Sequence, residues 1–121
     1  MTTTNLKQVE KNAHATATSV RGSVQKVQLV CKLITGLKAY EAILQLQFCK
    51  QRAARCLYTL LRSAIANAEN NLSLDIDNLY VSEILVGKSF MLKRFSARAR
   101  GRGTRIIKPF SRVTIILNER V

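Results

Sequence analysis

Acidic side chains are scarce in this chain: 121 residues carry 7 Asp and Glu against 20 Lys and Arg, a formal net charge of +13 with a pI near 10.4. There is one histidine, His14, and one proline, Pro109. With a single imidazole and few carboxylates, the chain offers no nucleophile and base pair, no cluster of metal ligands and no pair of carboxylates placed for acid–base work. Asp75 and Asp77 are close in sequence but far from His14 and have no third ligand near them, so they read as loop solvation or turn capping. Cys31, Cys49 and Cys56 are odd in number, lie in helical patterns and lack Cys-x-x-Cys spacing. They read as inert thiols in a reducing compartment, not as disulfides or metal ligands. Gly101 and Gly103 fall short of a phosphate-cradling loop. No apolar run approaches the roughly 18 residues of a membrane span, and the start Met-Thr-Thr-Thr-Asn-Leu-Lys has neither the apolar stretch of a signal peptide nor, with Glu10 and no arginine before Arg21, the character of a transit peptide. An enzyme, a cofactor and a membrane partner are therefore not expected.

Positive charge is plentiful, and it is concentrated. Residues 87 to 121 hold ten cations and one acid, so +9 of the +13 lies in that last part. The segment from Lys93 to Arg105 has six cations, two glycines and no acid. In an extended chain Arg98, Arg100 and Arg102 project to one face, with Ala99 and Gly101 on the other. Guanidinium forks match phosphate oxygens and the small residues let the backbone approach, so RNA or DNA is the first partner to consider. Since 47% of the residues are hydrophobic, this is not a disordered basic tail. A compact fold with so much like charge is best tolerated beside a permanent polyanion.

The length suits one domain with a modest core. Residues 1–12 are polar and without period, a flexible tail; residues 13–121 are read as a single α+β domain that binds nucleic acid. Alternation of His14, Thr16 and Thr18 with Ala13, Ala15 and Ala17 predicts a strand to about Ser19, ended by Arg21 and Gly22. Ser23 can cap a helix in which Val24, Val27, Val30, Cys31 and Ile34 share a face, and Gly36 stops it. A second helix follows from about Ala39 to Phe48, with Tyr40, Ile43, Leu44 and Phe48 facing inward and Glu41 and Gln45 facing water. The third, from about Lys50 to Asn70, has the clearest period: Ala53, Ala54, Leu57, Leu60, Leu61, Ala64, Ile65 and Ala68. On its other side Arg52, Arg55, Thr59 and Arg62 form a polar stripe, which is either a solvated face or, given the lack of interleaved acids, a phosphate-contacting one. Strands are expected at Leu79 to Val86 and Val113 to Leu117, with Pro109 marking an edge or an irregular step. Pairing them antiparallel turns residues 87–105 into a hairpin whose arms reach about 30 Å beyond the core. Built from Arg, Ala and Gly, such a projection needs a surrounding surface to hold its shape. Three helices packed on a small antiparallel sheet with a long extended β-hairpin is the expected fold.

Several runs are familiar in this order. Lys26-Val-Gln-Leu-Val30 with Leu33-Ile-Thr-Gly36, then Arg62-Ser-Ala-Ile-Ala-Asn-Ala-Glu-Asn70, Leu74-Asp-Ile-Asp-Asn-Leu-Tyr-Val81, Leu92-Lys-Arg-Phe95 and Arg98-Ala-Arg-Gly-Arg102 strongly resemble ribosomal protein L twenty-two of the bacterial type, over about Thr18 to Leu117. The resemblance implies a domain on the outer face of the large ribosomal subunit in the cytoplasm, bound to large-subunit ribosomal RNA and neighbouring ribosomal proteins. Its hairpin would run inward to line the nascent-peptide exit tunnel, and the protein would act in early subunit assembly. Met91, Leu92, Lys93 and Arg94 match the segment that the family links to macrolide resistance and are the expected tunnel-lining residues. Arg98, Arg100, Arg102 and Arg105 match the tip and returning arm. Together with Lys26, Lys50, Arg52, Arg55, Arg62, Lys88, Lys93, Arg94, Lys108 and Arg112 they make up the expected RNA-binding set. A homo-oligomer is not expected. The chain departs from the family at Ala97, where proline is usual before the tip arginine, at Pro109 and Phe110, where a basic residue and threonine are common, and at Gln25 and Gln28, where basic residues are common. Phe95 and Tyr40 remain open between base stacking and the core, with the core favoured for Tyr40. The alternative to a ribosomal constituent is a free-standing nucleic-acid-binding regulator, although a recognition-helix pattern is not apparent.

Overall fold

The computed structural model describes the backbone of residues 12–97, 101 and 103–119. The expected tail therefore falls, but for Asn12, outside the described residues, as do Arg98, Arg100 and Arg102. The elements run β1 (Ala13–Arg21), α1 (Val24–Ile34), α2 (Ala39–Phe48), α3 (Ala53–Leu72), a 3-10 turn (Ile76–Asn78), β2 (Leu79–Ala97) and β3 (Gly103–Glu119). The strands form an antiparallel sheet in the order β1-β3-β2. This is the expected α+β arrangement, with the last strand in the centre.

Period-two patterning decides which face of the sheet is covered. Ala13, Ala15 and Val20 of β1, Leu79 and Val81 of β2, and Val113, Ile115 and Leu117 of β3 are buried beneath the helices. Val27, Val30, Cys31 and Ile34 of α1 and Ala54, Leu57, Leu60, Leu61, Ala64 and Ala68 of α3 close the core from above. Each Leu or Ile buried in this way contributes about 2 kcal/mol by leaving water, which is what anchors a chain of such charge.

The second helix has the expected limits but turns a different face inward. Ala39, Ala42 and Leu46 are buried, whereas Tyr40 is 72% exposed, Phe48 77% and Leu44 37%. Two alanines allow the α2 backbone to come close to its neighbours, and bulky side chains at those positions would hold it away. Tyr40 is thus no core residue. Backbone bonds tie the α1–α2 corner to the sheet: Gly36 N–H donates to the Val81 carbonyl and Val81 N–H to the Leu37 carbonyl, both at 2.8 Å. Asn67 of α3 donates to the His14 carbonyl at 3.1 Å, and His14 itself points outward.

The two long strands extend well past their apolar stretches. Pairing continues from Leu79↔Glu119 to Ala97↔Gly103, so β2 and β3 become the arms of the hairpin. β1 supports β3 as far as Arg21↔Phe110, one pair short of Met91↔Pro109. The free two-stranded part therefore comprises the seven pairs from Met91 to Ala97, about 23 Å at ~3.3 Å per residue, shorter than expected because the third strand reaches further up. The pairing shifts between Lys88 and Met91, where Ser89 and Phe90 share one partner step, and this bulge sits beside Pro109, the expected irregular step. Gly101 closes the far end with φ 71, a left-handed conformation that a side chain would oppose.

Candidate nucleic-acid interface

At the foot of the hairpin three parts of the chain converge on a concave surface of about 390 Å³, lined by Arg21, Gly22, Ser23, Lys26, Arg52, Ile107, Lys108 and Pro109 among others. The strand β1 delivers Arg21, and the turn through Gly22, at φ 138, brings the chain round into α1. This turn is pinned to the sheet. The buried Ser111 hydroxyl donates to the Gly22 carbonyl at 2.8 Å, and Gly22 N–H donates to the Pro109 carbonyl at 3.1 Å. Lys26 lies in the first turn of α1, Arg52 at the start of α3, and Lys108 on the returning arm.

Both helices begin at this notch without a side-chain cap. Ser23 occupies the capping position of α1, as expected, but its hydroxyl makes no capping bond; Arg52, at the start of α3, makes none either, and neither helix has an acid in its first turn. The N-terminal ends of two helices, whose first N–H groups carry partial positive charge, therefore border the same surface as four cations. Among the described residues, none of Arg21, Lys26, Arg52 and Lys108 is ion-paired with a carboxylate. An anion bearing several oxygens would satisfy both the N–H groups and the side chains.

The other expected RNA contacts are distributed around this notch. Arg55 and Arg62 are exposed on the outer face of α3, where Thr59 and Ser63 spend their hydroxyls on the Arg55 and Thr59 carbonyls. The Arg62 guanidinium lies 5.8 Å from the centre of the Tyr58 ring, so it is partly held in place. Lys50 is exposed just before α3, and Lys88 and Arg112 are exposed on the supported part of β2 and β3. On the hairpin the register assigns the faces: Leu92, Arg94, Ile106 and Lys108 share one, while Met91, Lys93, Phe95, Arg105 and Ile107 share the other. Both faces thus carry cations interleaved with exposed apolar side chains. Of the four residues expected along the tunnel, Met91 stands at the foot opposite Pro109, and Arg94 stands farthest out, opposite Ile106. Phe95 is 76% exposed, which removes it from the core. Its ring lies across Gly103, where a Cβ would overlap it.

Arg21 was absent from the expected set. It read only as the end of a strand, and it is 87 positions away from Lys108 in sequence, so no local spacing announces their meeting. Asp75 does what its position suggested: its carboxylate accepts from Asp77 N–H and from the Asn78 amide, each at 3.1 Å, and so caps the 3-10 turn. Burial pushes the Cys31 thiol up to about 11, in keeping with an unreactive helix residue, while Cys56 is exposed. Among the described residues no group of three or more potential metal ligands occurs, and no helix is long and apolar enough to cross a membrane.

With this geometry in place, the likeness to known proteins is extensive. The profile of the family described as Ribosomal protein L22p/L17e matches residues 15–118. Curated relatives named large ribosomal subunit protein uL22 include that of Zymomonas mobilis, 56% identical over 110 residues that cover 91% of this chain and 87% of the relative. That of Methylorubrum populi is 54% identical with the same coverage, and that of Erythrobacter litoralis 52% identical over 91% of this chain and 88% of its own. A match through both the helical core and the hairpin, at more than half identity, leaves one conclusion: the chain belongs to the ribosomal protein L22p/L17e family.

Proposed function

We propose that this chain is a non-catalytic structural constituent of the large ribosomal subunit, bound to large-subunit ribosomal RNA. The observation that carries this reading is the notch, where Arg21, Lys26, Arg52 and Lys108 and two uncapped helix starts converge at the foot of a hairpin with cations on both faces. A ribbon charged on both sides suits a polyanion that surrounds it, and folded RNA does so where a straight duplex presents only one surface. Charge neutralisation and shape fit, rather than base-by-base reading, would provide most of the affinity and support subunit assembly.

The hairpin would thread through the RNA. Its outgoing arm with Leu92, Lys93 and Arg94, and with Met91 at their inner limit, would line the tunnel of the nascent peptide, while Arg98, Arg100, Arg102 and Arg105 would anchor the hairpin to RNA. On the outer surface of α1 and α2, Leu33, Leu44, Phe48 and Cys49 line a shallow apolar concavity, with Leu29 and Tyr40 one helical turn further along the two helices. This suits a neighbouring ribosomal protein better than RNA. The protein would work as one copy per subunit, in the ribosomes of the cytoplasm.

Large subunits isolated from cells that express the chain provide the test. It should co-sediment with them and leave only under harsh salt. A photo-crosslinker at Lys93 should capture a stalled nascent peptide. A chain found mainly outside ribosomes overturns the reading and favours a free-standing regulator. Retention in the subunit without any capture of the peptide overturns the tunnel assignment alone.

A further inference from the structure

A second concavity, of about 440 Å³, opens beside the cationic notch, and Ser23 and Pro109 border both. Its walls differ from those of the notch. Phe90, Met91 and Phe110 form the apolar side, and Val24, Gln25 and Lys88 complete it. The bulge between Lys88 and Met91 creates this side by placing Phe90 next to Phe110 across the strands. Their rings stack at 4.5 Å between centres with 16° between planes, yet Phe90 stays 46% exposed and Met91 51%. An aromatic stack left half in water beside a phosphate-binding notch has the composition of a nucleotide site: a flat apolar platform for the base and adjoining cations for its phosphate. The volume falls within the roughly 300–1,000 Å³ of small-molecule sites.

We propose that the foot of the hairpin holds a single nucleotide extruded from folded RNA, its base against Phe90 and Phe110 and its phosphate in the notch of Arg21, Lys26, Arg52 and Lys108. The Lys88 ammonium can donate to ring nitrogen or carbonyl acceptors of the base, and the Gln25 amide can both donate and accept. A phenyl stack accepts any base, so these two side chains set what preference there is. The proposal rests on the RNA-binding reading above and adds to it a discrete site, with a contact that is not electrostatic.

That difference in kind makes the test separable. The full chain and its variants are titrated against a transcript of the large-subunit RNA of the same genome, at several KCl concentrations. The double variant Phe90→Leu, Phe110→Leu, which keeps the site apolar but removes the rings, should bind on the order of tenfold more weakly at every salt concentration with an unchanged salt slope. Neutralising the notch should reduce affinity and slope together. If the ring variant binds like the parent while the notch variant responds, the nucleotide site is wrong and RNA binding stands. If neither variant responds, the RNA reading itself has failed at this surface. A density map of the intact large subunit containing the parent chain gives an answer independent of variant folding: a base stacked in the concavity supports the proposal, and a protein side chain or solvent there overturns it.

Discussion

Neutralising the notch at Arg21, Lys26 and Lys108 tests the central electrostatic argument. Substitution of all three by glutamine keeps polar side chains at exposed positions, and Arg52 is left alone because it stands at the start of α3. Among the described residues none of the three is ion-paired with a carboxylate, so the substitutions break no ion pair there and relieve repulsion within the free protein. Each phosphate contact contributes about 0.7–0.9 to the slope of log K against log salt, so three contacts contribute about 2–3. With ~2.4 as the difference, the variant should bind about 250-fold more weakly than the parent near 0.1 M salt, or roughly 3 kcal/mol. The gap should narrow by about 30-fold between 50 and 200 mM and close towards 1 M. Fluorescence anisotropy with a labelled RNA transcript reads both quantities, and Lys32→Gln with Lys38→Gln, on the helical side, serves as the control. A slope that changes by less than about 0.5, or an affinity gap that persists undiminished at high salt, would refute phosphate contact at the notch.

Two further expectations concern the framework beneath the interface. Ser111→Ala removes the bond to the Gly22 carbonyl at the joint that places Arg21 and Ser23, and should lower stability by about 1–2 kcal/mol in urea unfolding; a change below about 0.3 kcal/mol would mean that water replaces the hydroxyl without cost. Iodoacetamide at pH 8 should label exposed Cys56 first and Cys31 only after unfolding, because burial lifts the Cys31 thiol from 9.0 to about 11; equal labelling rates in the native protein would contradict this. The same shift fixes a sign. The unfolded thiol loses its proton near 9.0 and the folded one only near 11, so the Cys31 contribution is complete below pH 9 and is lost as pH rises through that window.

What the sequence discloses about this fold depends on whether the signal is local. The alternation in β1 and the long period of α3 were legible because burial repeats every two residues or every three to four, and a run of apolar side chains records it. The limits of α2 were legible too, but its orientation was not: hydrophobicity favours Tyr40 and Phe48 as core, whereas close helix packing selected Ala39 and Ala42. The strands looked short because Lys, Arg and Gly interrupt the apolar pattern after Val86, although backbone pairing continues without regard to it as far as Ala97. The notch left no local trace. Its members come from β1, α1, the start of α3 and β3, and only the tertiary path brings Arg21 to Lys108. Net charge announced an RNA partner, while the meeting of these four cations had to come from the fold.

That point is mechanically well placed. β3 is the central strand, paired to both neighbours up to Ser111, and it continues without a break into the returning arm of the hairpin. The direction of the projection is therefore set where support from β1 ends, at the bulge and Pro109, rather than along the arm. A free arm of about 23 Å converts a tilt of about 10° at the foot into about 4 Å at Ala97. With cations on both faces and few buried side chains, the arm cannot resist such a tilt by itself. Arg21 from the sheet edge, Lys26 and Arg52 from two helix starts, and Lys108 from the arm all reach the same notch. Phosphate bound there would join the arm to three elements of the rigid core at the one position where the lever is most sensitive. Holding the foot thus sets the direction in which the arm leaves the core, and the six cations between Lys93 and Arg105 remain for contacts along the shaft and at its end.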